Sequence, residues 1–257
     1  MSRPALLVFA KVPEPGRVKT RLCPPLTPGQ AAALYDAFLR DALDRYAALA
    51  TAAADPVAAA SGGAGAARAG GPPATPGPGD ALAGLAVRLH LAGAAVVPDG
   101  LAPTGVEVWP QRGDGLGERM LRAFVQAFAA GHDRVVVVGT DHPTLPLDFF
   151  GLAFDALADP LTAVLGPSDD GGYYLLGLND VAPDLFDMDY SHPGVFADTL
   201  DRVMELDMTP VVLPAHYDVD DAGSLGRLAA EWRAGADVGA RTSAMLRTLT
   251  ETGALAQ

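Results

Sequence analysis

Four cationic side chains, Lys11, Arg17, Lys19 and Arg21, fall within eleven residues of "FAKVPEPGRVKTRL" (9–22). The surrounding 257-residue chain is acidic, with a formal net charge of −13. Cations beside a glycine turn that leads towards a helix suit phosphate: Arg grips two oxygens at once and Lys supplies a point charge. A solvated loop pairing with some of the 31 acids is the structural alternative. "GRVKT" resembles a P-loop but fails its pattern, because Val18 stands where a glycine must precede the lysine.

Four further motifs carry polar residues of possible chemical use. "GTDHP" (139–143) brings Gly139, Thr140 and Asp141 to the end of a run of four valines. A lone carboxylate there can hold a divalent cation with phosphate oxygens completing its shell, or cap the next turn. "GPSDDGGYYLLGL" (166–178) sets Gly171 and Gly172 after Asp170, where backbone can approach a ligand or simply turn. In "HYDVDDAGSL" (216–225) Asp218 and Asp220 alternate, so an extended segment turns both to one side. Same-side carboxylates repel unless compensated, as a metal would do, while Asp220 or Asp221 can instead cap a helix from Ala222. "PQRGDGLGERM" (110–120) is a glycine-rich entry to a helix without GxGxxG spacing; Gln111 and Arg112 could reach a base or phosphate.

The remaining chemistry is sparse. The five histidines have no HExxH spacing, no Gly-x-Ser-x-Gly exists, and Cys23 has no evident base partner. Nucleophilic hydrolysis is disfavoured. The single cysteine forbids an intrachain disulfide, and the acidic balance disfavours nucleic acid or anionic membranes as general partners. No apolar run is long enough for a signal segment or membrane span, so a soluble cytoplasmic protein is expected.

The elements that must position these motifs follow from periodicity. Short apolar runs predict strands at 5–10, 85–91, 105–110, 133–141, 161–167, 171–178 and 210–214. Helical stripes predict helices from Thr27 or Pro28 to about Ala50, and over 115–131, 146–157, 193–206, 222–234 and 237–251. The apolar tail 243–255 packs either on the domain or on a second chain. Residues 51–80 are Ala/Gly/Pro-rich without an aromatic and read as a loop insertion, with an interdomain linker the rival reading. Alternating strands and helices predict one α/β domain over 1–257, built on a mostly parallel doubly wound sheet. Every motif then falls at the carboxyl end of a strand, where such sheets bind ligands.

Taken in order, "FAKVPEPGRVKTRL", "QRGDGLGERM", "VVVVGTDHPTLP", "GPSDDGGYYLLGL" and "YDVDDAGSL" resemble a bacterial glycosyltransferase family with a GT-A fold, related to the molybdenum-cofactor and phospholactate nucleotidyltransferases. The resemblance spans Leu6 to about Leu228. It departs at Asp221-Ala222, where the family usually has Thr-Pro, and at 51–80, which has no family counterpart. It implies a three-layer, Rossmann-like sheet of the nucleotide-diphospho-sugar transferase type, with Mg²⁺ or Mn²⁺ bridging carboxylates and a diphosphate. Asp141 would be the metal aspartate, Asp220 the second carboxylate and Asp218 the next. The first loop would lie over the phosphates, Lys19 and Arg21 before Arg17 and Lys11. Asp170 is the expected acceptor-side residue.

The implied activity is glycosyl transfer from a nucleotide sugar to a small-molecule acceptor. A nucleotidyltransferase joining a nucleoside triphosphate to a phosphorylated small molecule is the near rival. A non-catalytic nucleotide-binding protein is the alternative of another class.

Overall fold

The computed structural model describes residues 2–54, 81–93 and 98–255. Seven strands, β1 (Pro4–Lys11), β2 (Ala86–Ala92), β3 (Glu107–Pro110), β4 (Arg134–Val138), β5 (Thr162–Pro167), β6 (Tyr173–Leu178) and β7 (Thr209–Val212), form one sheet in the order β3-β2-β1-β4-β6-β5-β7. All pairings are parallel except those of β6, which runs antiparallel to both β4 and β5. The predicted mostly parallel sheet is therefore present, with β6 reversed. The chain reaches β6 from β5 through the short turn around Asp169–Gly172, too short for the crossover that a parallel connection requires.

Among the described residues six helices accompany the sheet: α1 (Pro28–Ala54), α2 (Leu116–Ala129), α3 (Asp148–Ala156), α4 (Val195–Glu205), α5 (Ala222–Arg233) and α6 (Ala240–Glu251). α1 starts where a capping box forms: the Thr27 amide and hydroxyl donate to Gln30 Oε1, and the Gln30 amide donates back to Thr27 Oγ1. Pro28 occupies the first helical position, where its missing N–H is no loss. The helix continues to Ala54, one turn past the expected end near Ala50, so residues 51–54 are helical rather than part of the insertion. The rest of that expectation, 55–80, lies outside the described residues.

Side chains alternate across the central strands into two cores. Leu6, Val8, Val136, Val138 and Val164 pack beneath α1 and α3, while Ala5, Leu7, Val135, Val137 and Leu165 face α2 and α4. Burial on both faces explains why β1 and β4 read as unbroken apolar runs. A third core joins the first half of α1 to α5 and α6 through Leu34, Phe38, Leu225, Leu228, Leu246 and Leu249. The tail thus packs on its own domain, and the Asp41 carboxylate of α1 accepts from the Thr242 amide at 2.7 Å at the start of α6.

Candidate active site

The first loop leaves β1 and is pinned at three places. The Val12 amide donates to the Ala92 carbonyl at 3.1 Å, and the Arg17 amide closes a turn on the Glu14 carbonyl at 3.0 Å. Val18 is buried against Ala32 and Tyr35 of α1. The next residue, Lys19, adopts a left-handed backbone (φ 48°, ψ 40°), an unusual conformation for a side-chain-bearing residue, before a 3-10 turn at Thr20–Leu22. This anchor-then-turn arrangement buries the Lys19 side chain to 4% exposure, while Arg17 stays exposed and pairs with Glu14 at 3.1 Å.

Two distant loops bring carboxylates to Lys19. Its Nζ lies 2.5 Å from Asp141 Oδ1 and 2.5 Å from Asp220 Oδ1. The contact to Asp220 is a hydrogen bond. The contact to Asp141 is an ion pair of the same length. The two carboxylate side chains remain 39% and 43% exposed.

The loops themselves are strapped together. His216 and Ser168 continue the β5 edge as an isolated parallel bridge. The Val219 amide then donates to the Asp141 carbonyl at 2.9 Å. His142 Nδ1 lies 2.8 Å from the Tyr217 carbonyl, so this nitrogen carries the proton. Burial outweighs the nearby Asp141 charge and lowers the His142 pKa to about 4, making it a neutral strut at ordinary pH.

The charges respond to this packing. Burial opposes a charged Lys19, but Asp141 and Asp220 outweigh it and hold its pKa above the usual value. Burial likewise opposes a charged Asp220, and Lys19 reverses the balance to keep that carboxyl ionised. Asp218 lacks such a partner. Burial, then Asp220 and Asp170, push it up to about 6. Tyr35 is raised to about 12 by burial and then by Asp141; its hydroxyl accepts from the Lys11 amide at 2.9 Å and lies 3.3 Å from Thr140 Oγ1.

A cleft of about 690 Å³ opens in front of this trio at the carboxyl ends of the strands. Of the sequence-derived candidates, Lys11, Arg17, Lys19, Arg21, Gln111, Gly139, Asp141 and Asp220 line it. Gln111 also braces the sheet, its Nε2 donating to the carbonyls of Ala10 at 3.1 Å and His90 at 2.8 Å. Thr140 is buried just behind the wall. Asp218, Asp170, Gly171 and Gly172 do not line the cleft. Asp218 accepts a long bond from Ser168 Oγ at 3.4 Å, and Asp170 Oδ1 accepts from the Gly172 amide at 2.9 Å within its own turn. Gly171 has a packing reason: at φ +89° its missing Cβ would lie 1.9 Å from the Pro193 carbonyl oxygen. Asp221 takes the capping role, accepting from the Ser224 amide at 2.8 Å at the start of α5.

Other lining residues carried no separate signal. Tyr35 of α1 and Arg119 of α2 are two of them. Arg119 Nε in fact donates to the Gly113 carbonyl at 2.9 Å, which closes the glycine-rich entry over the cleft. Phe9, Leu116, Met120, Tyr173 and Leu176 make the opposite wall apolar.

The donor set can be compared with a metal. Two carboxylate oxygens already converge on one cationic centre beside an open cleft, which matches the one or two protein carboxylates that Mg²⁺ commonly takes. Among the described residues no cluster of three or more His, Cys, Asp and Glu side chains has metal-site geometry, so phosphate or water would have to complete the shell.

Residues 80–192 match the profile of a family described as "Uncharacterized protein conserved in bacteria (DUF2064)". None of the curated proteins matches the chain. A "putative nucleotide-diphospho-sugar transferase" from Desulfovibrio desulfuricans G20 superposes with a TM-score of 0.78 at 29% identity, covering 98% of this chain and 96% of that one. A cytidylyltransferase from Leptospira borgpetersenii serovar Hardjo-bovis (strain JB197) is 12% identical, with a TM-score of 0.50 over 98% of this chain and 96% of that one, a likeness of fold alone. The chain therefore carries the nucleotide-diphospho-sugar transferase fold, with its segment 80–192 matching the bacterial family.

Proposed function

We propose that this protein is a transferase that draws on a nucleotide-activated donor, in the first place a glycosyltransferase acting from a nucleotide sugar on a small-molecule acceptor. The observation that carries the reading is the convergence of Asp141 and Asp220 on the Lys19 ammonium, 2.5 Å from each, at the rim of a cleft also lined by Lys11, Arg17 and Arg21. Cations and carboxylates meeting at one strand-end mouth suit a diphosphate and its cation. The likeness to the Desulfovibrio protein over nearly the whole chain supports the same class.

In this reading Asp141 and Asp220 hold Mg²⁺ or Mn²⁺, with Asp218 behind them. Such an ion supplies Lewis-acid stabilisation of the charge that grows on a departing phosphate. The chain's own part is electrostatic and geometric. Lys19, Arg21, Arg17 and Lys11 offer donors to the phosphate oxygens, from a loop pinned at Val12 and Val18. Gly139, without a Cβ and with no atom within 4 Å of where one would stand, leaves room for the donor beside Asp141. The apolar wall from Phe9 to Leu176 excludes water from that side. Asp170, outside the cleft lining but close enough for its charge to act on Asp218, remains the acceptor-side candidate.

Nucleotidyl transfer from a triphosphate is the second reading, favoured by four cations in one loop. A donor screen reading products by mass spectrometry, with UDP-sugars against CTP and GTP in Mn²⁺ and Mg²⁺, separates the two. Glycosylated product supports the first reading; nucleotidylated product with release of pyrophosphate replaces it with the second. Asp141→Ala is expected to abolish metal-dependent nucleotide binding in a thermal-shift titration. Unchanged binding would remove the site assignment and leave a nucleotide-binding protein at most.

A further inference from the structure

Lys19 stands where an ion would stand. Its ammonium is 2.5 Å from one oxygen of Asp141 and 2.5 Å from one oxygen of Asp220. A divalent ion held by the same two oxygens would sit about 2.0–2.1 Å from each if it were Mg²⁺. Two centres so placed overlap, so the ammonium and the ion exclude each other by size as well as by charge.

Leaving this position requires a second anion for Lys19. Its side chain is 4% exposed and packed 5.9 Å from the centroid of the Tyr35 ring, so departure into the cleft without an anion would strip it of both partners. The flexible four-carbon stem can reach a phosphate in the adjoining cleft, on the side lined by Arg17 and Arg21. We propose that Lys19 is an internal cation that occupies the divalent-ion position of the free protein and is drawn off by phosphate, so that metal and nucleotide load together. The inference rests on the reading of Asp141 and Asp220 as metal carboxylates and adds an order of events to it.

The test is Mn²⁺ binding to nucleotide-free protein, followed by the electron paramagnetic resonance signal of free Mn²⁺. Lys19→Met is expected to bind one Mn²⁺ at least tenfold more tightly than wild type, and Asp141→Asn added to Lys19→Met is expected to remove the gain. Wild type is expected to gain comparably when inorganic pyrophosphate is supplied, read against a protein-free control with the same Mn²⁺ and pyrophosphate, because pyrophosphate alone removes part of the free-ion signal. Should Lys19→Met fold poorly, Lys19→Gln keeps a polar end between the carboxylates and serves the same comparison. Mn²⁺ binding no tighter in the Lys19 variant than in wild type, yet lost on Asp141→Asn in both, overturns the exclusion while leaving the carboxylate site standing. Indifference of Mn²⁺ to Asp141→Asn in every background overturns both.

Discussion

The backbone amide of Val219 donates to the backbone carbonyl of Asp141 at 2.9 Å. This bond ties the loop after β7 to the loop after β4, and it sets Asp220 and Asp141 on either side of one ammonium. Because it is made by main chain, it constrains position and not residue type. The site is held by backbone from below and by charge from above.

Glycines in the two candidate loops separate packing from binding. Gly171→Ala places a methyl 1.9 Å from the Pro193 carbonyl oxygen at φ +89° and is expected to cost about 3–5 kcal/mol in urea unfolding. Gly139→Ala meets nothing within 4 Å and needs no left-handed backbone. Its stability is expected to stay within about 0.5 kcal/mol of wild type, while nucleotide affinity falls because the methyl enters the cleft. A Gly139→Ala protein that binds nucleotide as wild type would show that the donor does not approach this backbone.

Asp218 gives a pH signature. Its carboxyl is raised to about 6, so the folded state holds this proton more tightly than the unfolded chain does. Stability from this residue is therefore lost as pH rises from about 4 through 6, and the penalty is fully present above that. The shift corresponds to about 3 kcal/mol before screening, and a half-buried side chain retains about 1 kcal/mol of it. Asp218→Asn is expected to be more stable than wild type by about 1 kcal/mol at pH 8 in chelator, and equal to it near pH 4. Asp220 acts oppositely: its lowered pKa contributes stability above the ordinary carboxylate range that is lost as pH falls through the lowered value. Chemical denaturation at a series of pH values reads both limbs.

Asp41 is a structural charge outside the cleft lining. It is buried in α1 and accepts from the Thr242 amide at 2.7 Å, the Arg241 amide at 3.2 Å and Arg241 Nη1 at 3.3 Å. A carboxylate at the amino end of α6 satisfies free N–H groups and complements the helix dipole. Asp41→Ala is expected to cost about 2–3 kcal/mol, lowering the melting temperature by roughly 5–10 °C. Nucleotide and Mn²⁺ binding at temperatures where the variant is folded are expected to be unchanged.

The apolar runs alone determined most of the architecture. Residues 5–10, 133–141 and 161–167 are read as strands because chain buried on both faces must be apolar throughout; strands stand at Pro4–Lys11, Arg134–Val138 and Thr162–Pro167, the second ending three residues early so that Gly139, Thr140 and Asp141 belong to the loop. The basic loop, Asp141 and Asp220 were legible as site candidates because each follows such a run. Only the tertiary structure decided which of the acids meet the cations. Asp218 and Asp220 are two residues apart in sequence, yet Asp220 reaches Lys19 while Asp218 keeps no cation and a raised pKa. Gly171 read as room for a ligand or as a plain turn and proved to be room for Pro193, and Tyr35, which nothing in the sequence singles out, braces Lys11 and Thr140. Periodicity reports which face of an element is dry; it carries no term for contacts between loops a hundred or two hundred residues apart, and those contacts are what assemble this site.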